Sequence, residues 1–346
     1  MPDSSSAAWP WFRARLAALR PPPRPLPSDG QPAAVVRTAV VTDSAAALPA
    51  DWVAAFAGAG ILTVVPMPVM VGEEIYGEGE DDILETIALA LATGKSVKTS
   101  RPSPGQFEQA YRAALQRGYE AVVSVHISGG LSGTADAARL AAARVGIPVE
   151  VVDSRTVGMA PGMAVQAAVA LAADGGEAAD VAAAAIQEAA RAKVYFYVPS
   201  LEQLRRGGRI GAAASLLGTM LAIKPILAVD DGKIVPLEKV RSAARAVARL
   251  EEIVAADAAA RPGESVRLAV HHFGNPQEAE SLAVRLNAAL PQCPPAQISS
   301  LPAVLAAHAG LGVLAVIVGQ DRPVGGPAMP FPHSGFLACR RLSGCP

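Results

Sequence analysis

A loop rich in glycines and hydroxyls, residues 126–134, carries the residue types best suited to chemistry. Its sequence, HISGGLSGT, has three glycines and three hydroxyl side chains but no lysine. It separates an apolar run from a helical pattern. Backbone N–H groups at a helix start, together with the hydroxyls of Ser132 and Thr134, are suited to binding one carboxylate or one phosphate. The alternative is that Ser132 or Thr134 only caps the helix, an interaction of about 1 kcal/mol.

Three better-known loop motifs do not fit this segment. A Walker loop requires Lys followed by Ser or Thr after its last glycine, and Thr134-Ala135 supplies no cation. A dinucleotide fingerprint requires G-x-G-x-x-G, and Leu131 stands where a glycine is needed, although Asp153 lies 20 residues after Gly133, near the ribose-binding position. A nucleophile elbow requires G-x-S-x-G, and GLSGT has one glycine out of place. The loop therefore predicts an anion site without a nucleotide motif.

Further polar residues stand at other helix starts and turns. Thr99, Ser100 and Ser103 surround two prolines before a helical pattern, and capping alone would explain them. His272 and His308 lie beside a strand or a glycine turn, where a lone histidine is more often structural than functional. Cations are also concentrated within the apolar stretch 200–227, where burying them without an anion would be costly; they are Arg205, Arg206, Arg209 and Lys224.

The composition argues against several function classes. The 346 residues are 51% hydrophobic and 18% charged, which disfavours disorder, and a net charge of −1 leaves no broad basic face for nucleic acid. The three cysteines are odd in number and too widely spaced for a metal knuckle, so we expect no metal site and a reduced compartment. The N-terminal region lacks the pattern of a secretory signal, which favours a cytoplasmic location.

Residues 297–320 are long enough to span a membrane, and none of the 24 carries a formal charge. Pro302, His308, Gly310 and Gly312 divide the segment into a turn and a short Val/Ile strand. No basic or aromatic flank follows it. We therefore expect no stable insertion into a membrane.

Strand and helix patterns alternate along the chain, which indicates an α/β fold. Runs rich in Val and Ile are separated by Ala-rich amphipathic segments, which predicts right-handed crossovers and a largely parallel sheet. After residues 193–198 an Asp-Asp-Gly turn between apolar runs indicates a hairpin and a mixed sheet. The predicted organisation is a disordered Pro-rich extension (1–33), an N-terminal domain with the parallel sheet (34–195), a C-terminal domain with the mixed sheet (196–320) and a disordered tail (321–346).

Seven segments, taken in order, resemble the DegV family of fatty-acid-binding proteins, which includes FakB, the acyl-carrying subunit of bacterial fatty acid kinase. The resemblance extends over about residues 37–320, and its strength lies in the ordered set. The chain departs from the family pattern at Ala45 and Ala46, at Arg101, where the family often has Gln, and at Leu311. The matching pieces are VTDSAAALP, VKTSRPSPGQF, HISGGLSGTADAA, VVDSRTVGMAPG, LEQLRRGGRI with IKPIL, VHHFGNPQEAE and HAGLG.

The resemblance implies a two-domain DegV-like fold with one long-chain fatty acid in a tunnel between the domains and no other cofactor. It implies a carrier subunit that is not an enzyme on its own and that presents the fatty acid carboxylate to a separate ATP-dependent, FakA-like kinase, which makes an acyl phosphate. The segments that hold the carboxylate in the family place Thr99, Ser100, Ser132, Gly133 and Thr134 at the head group. Facing the added phosphate or the kinase, we expect Arg209, His272 and His308.

A serine esterase or acyl hydrolase is the alternative from a different class. Ser132 would be its nucleophile, His272 or His308 its base, and Asp153 the third member, an order that convergent triads permit. The misplaced glycine of the elbow motif argues against it. Incubation with a chromogenic ester separates the two functions: a burst of product supports the hydrolase, and stoichiometric release of lipid on denaturation supports the carrier.

Overall fold

The computed structural model describes residues 36–77, 83–216, 223–261 and 265–320. The predicted extension (1–33) and tail (321–346) lie outside the described residues. The strands are β1 Thr38–Asp43, β2 Leu62–Val65, β3 Val69–Val71, β4 Glu74–Tyr76, β5 Val97–Thr99, β6 Ala121–His126, β7 Val149–Asp153, β8 Lys193–Tyr197, β9 Lys224–Asp230, β10 Lys233–Val240, β11 Val266–His272, β12 Gln297–Ser300 and β13 Leu314–Gln320. The helices are α1 Ala50–Gly58, α2 Ile83–Ala92, α3 Pro104–Gln116, α4 Thr134–Ala142, α5 Met159–Ala173, α6 Ala178–Arg191, α7 Glu202–Arg206, α8 Ala243–Ala259, α9 Pro276–Ala289 and α10 Ala303–Ala309.

The first sheet has the strand order β2-β1-β6-β7, and all its pairings are parallel. Its central strands are apolar on both faces because helices cover both. Val40 and Val123 pack with α5 and α6 on one face, whereas Val41 and Val122 pack with α3 and α4 on the other. Continuous Val-rich runs are typical of parallel strands buried in this way. The carboxyl ends of β1, β6 and β7 therefore meet at one edge.

The second sheet has the order β10-β9-β8-β13-β11-β12 and is mixed. Its neighbours pair antiparallel except β11 and β12. One face packs against α8 and α9. The other face, called here the inner face, packs against α2, α5 and α10.

Helix α5 lies between the two sheets, which explains why its sequence is rich in small residues. Met159 and Met163 pack with the inner face of the second sheet, while Val165 and Ala168 pack with the first sheet. Gly162 approaches the backbone of Ala46 so closely that a Cβ would overlap the Ala46 carbonyl oxygen. A helix buried on both sides shows no amphipathic stripe.

A three-stranded antiparallel sheet, β4-β3-β5, was not predicted. The apolar run 61–71 forms two strands rather than one, because the chain leaves the first sheet after Val65 and enters this small sheet at Val69. Pro66 and Pro68 lie at the break, and neither has an N–H to continue a ladder. The small sheet matters for function because β5 ends at Thr99.

The apolar stretch 297–320 forms β12, α10 and β13 rather than one long helix. The predicted strand is present, whereas α10 occupies the position where only a turn was expected. Within the described ranges, no helix combines the length and apolarity needed to cross a bilayer.

Candidate functional site

A cavity lies between the inner face of the second sheet and the segments around β5, α10 and the 126–134 loop. The space between its walls, with the open mouth and the adjoining solvent included, is about 790 Å³. Most of its wall is apolar. Strands β8, β9, β10 and β13 supply Val194, Phe196, Val229, Ile234, Ala315 and Ile317.

Four of the eight predicted site residues line this cavity: Thr99, Ser132, Arg209 and His308. They come from four separate parts of the chain, namely the end of β5, the loop before α4, the turn after α7 and the last turn of α10. A cavity wall that is largely hydrocarbon with few polar groups suits a ligand with a long apolar part and a small polar part.

The loop after β6 places the Ser132 hydroxyl at the cavity rather than at a helix cap. The N-cap of α4 is Gly133, which makes no side-chain cap. Ser132 Oγ instead lies 2.8 Å from Thr134 Oγ1, and Thr134 is fully buried. The capping interpretation of Ser132 and Thr134 is therefore wrong.

The third hydroxyl of the loop fastens it to the second sheet. Ser128 Oγ donates a hydrogen bond of 2.7 Å to the carbonyl of Gly232, in the β9–β10 turn. Gly130 is so close to this turn that a Cβ would overlap the same carbonyl oxygen. Asp231 of the turn also forms an ion pair with Arg155. The hairpin that supplies Val229 and Ile234 to the cavity is thus held against the loop.

A chain of buried polar side chains supports the loop from below. The Asp43 carboxylate accepts hydrogen bonds from His126 Nδ1 at 3.0 Å and from the backbone N–H groups of Ile127 and Ala45. His126 Nε2 lies 2.7 Å from Ser124 Oγ, which lies 2.8 Å from the Tyr111 hydroxyl. We call these four side chains (Asp43, Tyr111, Ser124 and His126) the sealed network.

The sealed network is closed to solvent and to ligands. All four side chains are fully buried, and burial raises the pKa of Tyr111 to about 12. The sequence analysis identified the polar loop that follows β6 but missed this network. The signal was the S-x-H pattern at 124–126, whose two side chains share one face of a strand and therefore reach the same neighbours.

His308 and Thr99 form the polar contact at the other side of the cavity. Thr99 Oγ1 and His308 Nε2 lie 2.7 Å apart. Burial, assisted by the positive charge of Arg209, lowers the pKa of His308 to about 4, so the imidazole is neutral at neutral pH. Gly207 packs against the ring so closely that a Cβ would overlap Nδ1. With Ser132 and Thr134, these two residues are called the cavity group.

Arg209 bridges the turn after α7 and the loop before α4. Its Nε donates to the Leu131 carbonyl at 3.0 Å, and its Nη1 donates to the Gly207 carbonyl. Gly208, with a φ of +70°, allows the sharp turn that returns the arginine toward the cavity. Within the described residues no carboxylate pairs with the guanidinium, so its charge remains available to a ligand.

Ser100, Gly133 and Thr134 were also predicted at the head group, but they do not line the cavity. Ser100 is exposed, and its hydroxyl donates to the carbonyl of Arg101. Gly133 and Thr134 lie at the start of α4, directly behind Ser132.

His271, and not the predicted His272, lies in the cavity wall. Successive side chains of a strand face opposite sides, and on β11 the inner face takes Ala269 and His271. His271 Nε2 accepts from the N–H of Met159 and Nδ1 lies 2.9 Å from Ser299 Oγ. Burial lowers its pKa to about 4. His272 is directed to the other face, and burial lowers its pKa as well.

A protein-family model described as "Uncharacterised protein, DegV family" matches residues 37–321. This chain belongs to the DegV family. It is 45% identical over 280 residues to the DegV domain-containing protein SCO2569 of Streptomyces coelicolor, a match that covers 81% of this chain and 97% of that protein. It is 39% identical to the DegV domain-containing protein Rv2417c of Mycobacterium tuberculosis, with 81% and 96% covered.

Solved DegV structures share this fold. A DegV family protein of Thermus thermophilus, described by its fatty acid binding, superposes with a TM-score of 0.75 at 32% identity and covers 82% of this chain and 100% of its own. DegV of Bacillus subtilis, a fatty-acid-binding protein, gives a TM-score of 0.72 at 30% identity, with 82% and 99% covered. The predicted α/β fold, with a parallel sheet in the N-terminal region and a mixed sheet in the C-terminal region, is confirmed.

The hydrogen bonds of this DegV chain do not assemble the esterase triad. Ser132 pairs with Thr134, and the Nε2 of His308 pairs with Thr99. Asp153 accepts from the backbone N–H groups of Gly129 and Arg155. A Ser-His-Asp series does occur within the sealed network, but no substrate can reach it.

Proposed function

We propose that this DegV protein binds one long-chain fatty acid, with the acyl chain in the cavity and the carboxylate at the cavity group. The observation that supports this most strongly is the separation of surfaces: apolar strands line most of the cavity, and Thr99, Ser132, Arg209 and His308 supply polar atoms. The fatty acid binding described for the relatives from Thermus thermophilus and Bacillus subtilis supports the same ligand class.

The hydrophobic effect supplies the main driving force for such binding. Burying about 15 methylenes contributes on the order of 12 kcal/mol before the costs of association, at about 0.8 kcal/mol for each methylene. A carboxylate must keep its hydrogen bonds when it leaves water, because an unpaired buried charge would cancel much of this gain. The polar residues of the cavity therefore need to supply donors.

The cavity group has the donors that a carboxylate requires. A neutral His308 with its proton on Nε2 donates to Thr99 Oγ1, which frees the Thr99 O–H to donate to the ligand. With the Thr134 proton directed at Ser132 Oγ, the Ser132 O–H is free in the same way. Buried Thr134 and His308 thus fix the direction of two hydroxyls that face the carboxylate. Arg209 adds a positive charge nearby.

We further propose that the bound carboxylate is presented to a separate ATP-dependent kinase in the cytoplasm. A carboxylate oxygen would attack the γ-phosphorus of ATP, the bond to the β-phosphate oxygen would break, and ADP would leave with acyl phosphate remaining. Negative charge accumulates at the head group in this step, and Arg209 is placed to stabilise it. The carrier itself would supply no nucleotide site.

Arg209→Ala tests this division of roles. We expect palmitate affinity to fall by no more than about tenfold, because hydroxyls still hold the carboxylate, and kinase-dependent acyl phosphate formation to fall by about 100-fold or more. Binding is measured by titration, and phosphorylation by lipid-dependent ADP release with a FakA-like kinase. The control is Arg206→Ala, because the Arg206 guanidinium already pairs with Glu202. Equal losses in both assays would make Arg209 a carboxylate ligand only.

The esterase alternative makes a different prediction for the same preparation. An esterase releases a burst of chromophore from p-nitrophenyl palmitate, and Ser132→Ala abolishes the burst. The carrier gives none and instead yields palmitate on denaturation after loading.

A further inference from the structure

Arg101, outside the cavity wall, lies against the loop that holds Ser132. If Gly133 carried a Cβ, that atom would lie 3.1 Å from Arg101 Nη1 and 3.3 Å from Arg101 Cδ. The arginine side chain therefore packs directly on the face of Gly133 where a side chain would otherwise project. The glycine leaves the room that the guanidinium occupies.

Arg101 and Arg209 contact the residues on either side of Ser132. Arg209 donates to the carbonyl of Leu131, while Arg101 covers Gly133. Within the described part of the chain, neither guanidinium forms an ion pair with a carboxylate. By contrast, Arg205 and Arg206 in the same region both pair with Glu202. Two guanidinium groups without a carboxylate partner in the described part of the chain thus contact the residues before and after Ser132, and Arg101 is exposed to solvent.

The two positive charges of Arg101 and Arg209 exceed the one negative charge of a fatty acid carboxylate. A carboxylate carries one negative charge, whereas a phosphate monoester carries close to two above a pH of about 6. Guanidinium groups suit phosphate because they offer several N–H donors in one plane.

We propose that Arg101 and Arg209 form a phosphoryl subsite next to Ser132. The ligand of this subsite is the phosphate dianion of an acyl phosphate. This inference rests on the fatty acid function proposed above and extends it to the phosphorylated product. Transfer of a phosphoryl group from ATP adds one negative charge to the head group and leaves ADP as the other product. The subsite would hold that added charge after the carboxylate oxygen has formed its bond to phosphorus.

The test compares two ligands that differ only at the head group. Palmitate and hexadecyl phosphate are titrated separately into delipidated full-length protein at a pH of about 8, where the phosphate monoester is a dianion. The measured quantity is the preference for hexadecyl phosphate, that is, the ratio of the two dissociation constants. Arg101→Gln removes the charge but keeps a polar side chain, and Arg205→Gln is the control with the same change in net charge.

We expect Arg101→Gln to lower this preference about fivefold, as fits a partly solvated charge-assisted contact, and Arg205→Gln to leave it unchanged. An unchanged preference in Arg101→Gln would overturn the subsite, and so would an equal decrease in Arg205→Gln. Binding of inorganic phosphate by the unmodified protein as tight as that of hexadecyl phosphate would overturn the assignment to an acyl-linked phosphate. Failure of the unmodified protein to bind palmitate would instead contradict the proposed function on which the subsite depends.

Discussion

The sealed network and the cavity group both combine hydroxyls with a histidine, yet their surroundings give them different capacities. In the sealed network Asp43, Tyr111, Ser124 and His126 bind one another and the backbone, in the absence of solvent. In the cavity group each hydroxyl that faces the cavity has one internal partner and keeps a proton or lone pair for another. The comparison teaches that open hydrogen-bonding capacity, rather than residue type, distinguishes a candidate ligand site.

The largest expected effect comes from breaking the sealed network. Asp43→Ala leaves His126 Nδ1 and two backbone N–H groups without their acceptor, so the free energy of unfolding should fall by about 3–5 kcal/mol. Urea unfolding monitored by circular dichroism measures it. Asp136→Ala, at an exposed carboxylate of α4, should change stability by less than about 0.5 kcal/mol. A loss below about 1 kcal/mol for Asp43→Ala would contradict the structural role of the network.

Acid should destabilise the lipid-free protein through its buried histidines. Burial lowers the pKa of His308 and of His271 to about 4, below the unfolded value near 6.5. The folded state therefore favours the neutral rings, and this stabilisation is complete above a pH of about 6.5 and lost as the pH falls toward about 4. Over this pH range, the free energy of unfolding falls by up to about 3 kcal/mol for each histidine.

Unfolding by urea at a series of pH values tests the contribution of His308. His308→Asn should unfold with a weaker dependence on pH between about 6.5 and 4 than the unmodified protein. An identical dependence in both proteins would show that His308 does not titrate with folding.

A smaller effect is expected in the cavity group. Ser132→Ala removes one donor to the carboxylate and should weaken palmitate binding by about 1–2 kcal/mol, or roughly 5- to 30-fold, with lipid-free stability nearly unchanged. Isothermal titration and thermal unfolding are measured on the same preparations. The control is Ser281→Ala, because the Ser281 hydroxyl binds a backbone carbonyl on the exposed side of α9. Equal destabilisation with and without palmitate would reduce Ser132 to a structural residue.

The sequence predicted the cavity group better than the sealed network because the two leave different local signals. Glycines and hydroxyls between a strand and a helix identify the 126–134 loop from one segment. The contact between Asp43 and His126 joins residues 83 positions apart and depends on β1 and β6 being neighbours. No local pattern contains that pairing.

The choice between His271 and His272 also required the folded structure. Two adjacent histidines on a strand face opposite sides, and apolar residues flank both of them. Only the placement of β11 against α5 and β13 decides which one meets the cavity. The small sheet was missed for a related reason: β4 and β5 have three residues each, too few to produce a periodic signal.

Native mass spectrometry of the purified protein tests the central claim most directly. We predict one fatty acid of roughly 14 to 18 carbons per chain, retained from expression or taken up on addition, since that length lets the buried methylenes dominate binding. Ala315→Phe enlarges a side chain in the cavity wall beside Phe196 and should abolish retention while the protein stays folded. A protein that neither carries nor takes up fatty acid, or a folded Ala315→Phe variant that binds it equally well, would contradict the account.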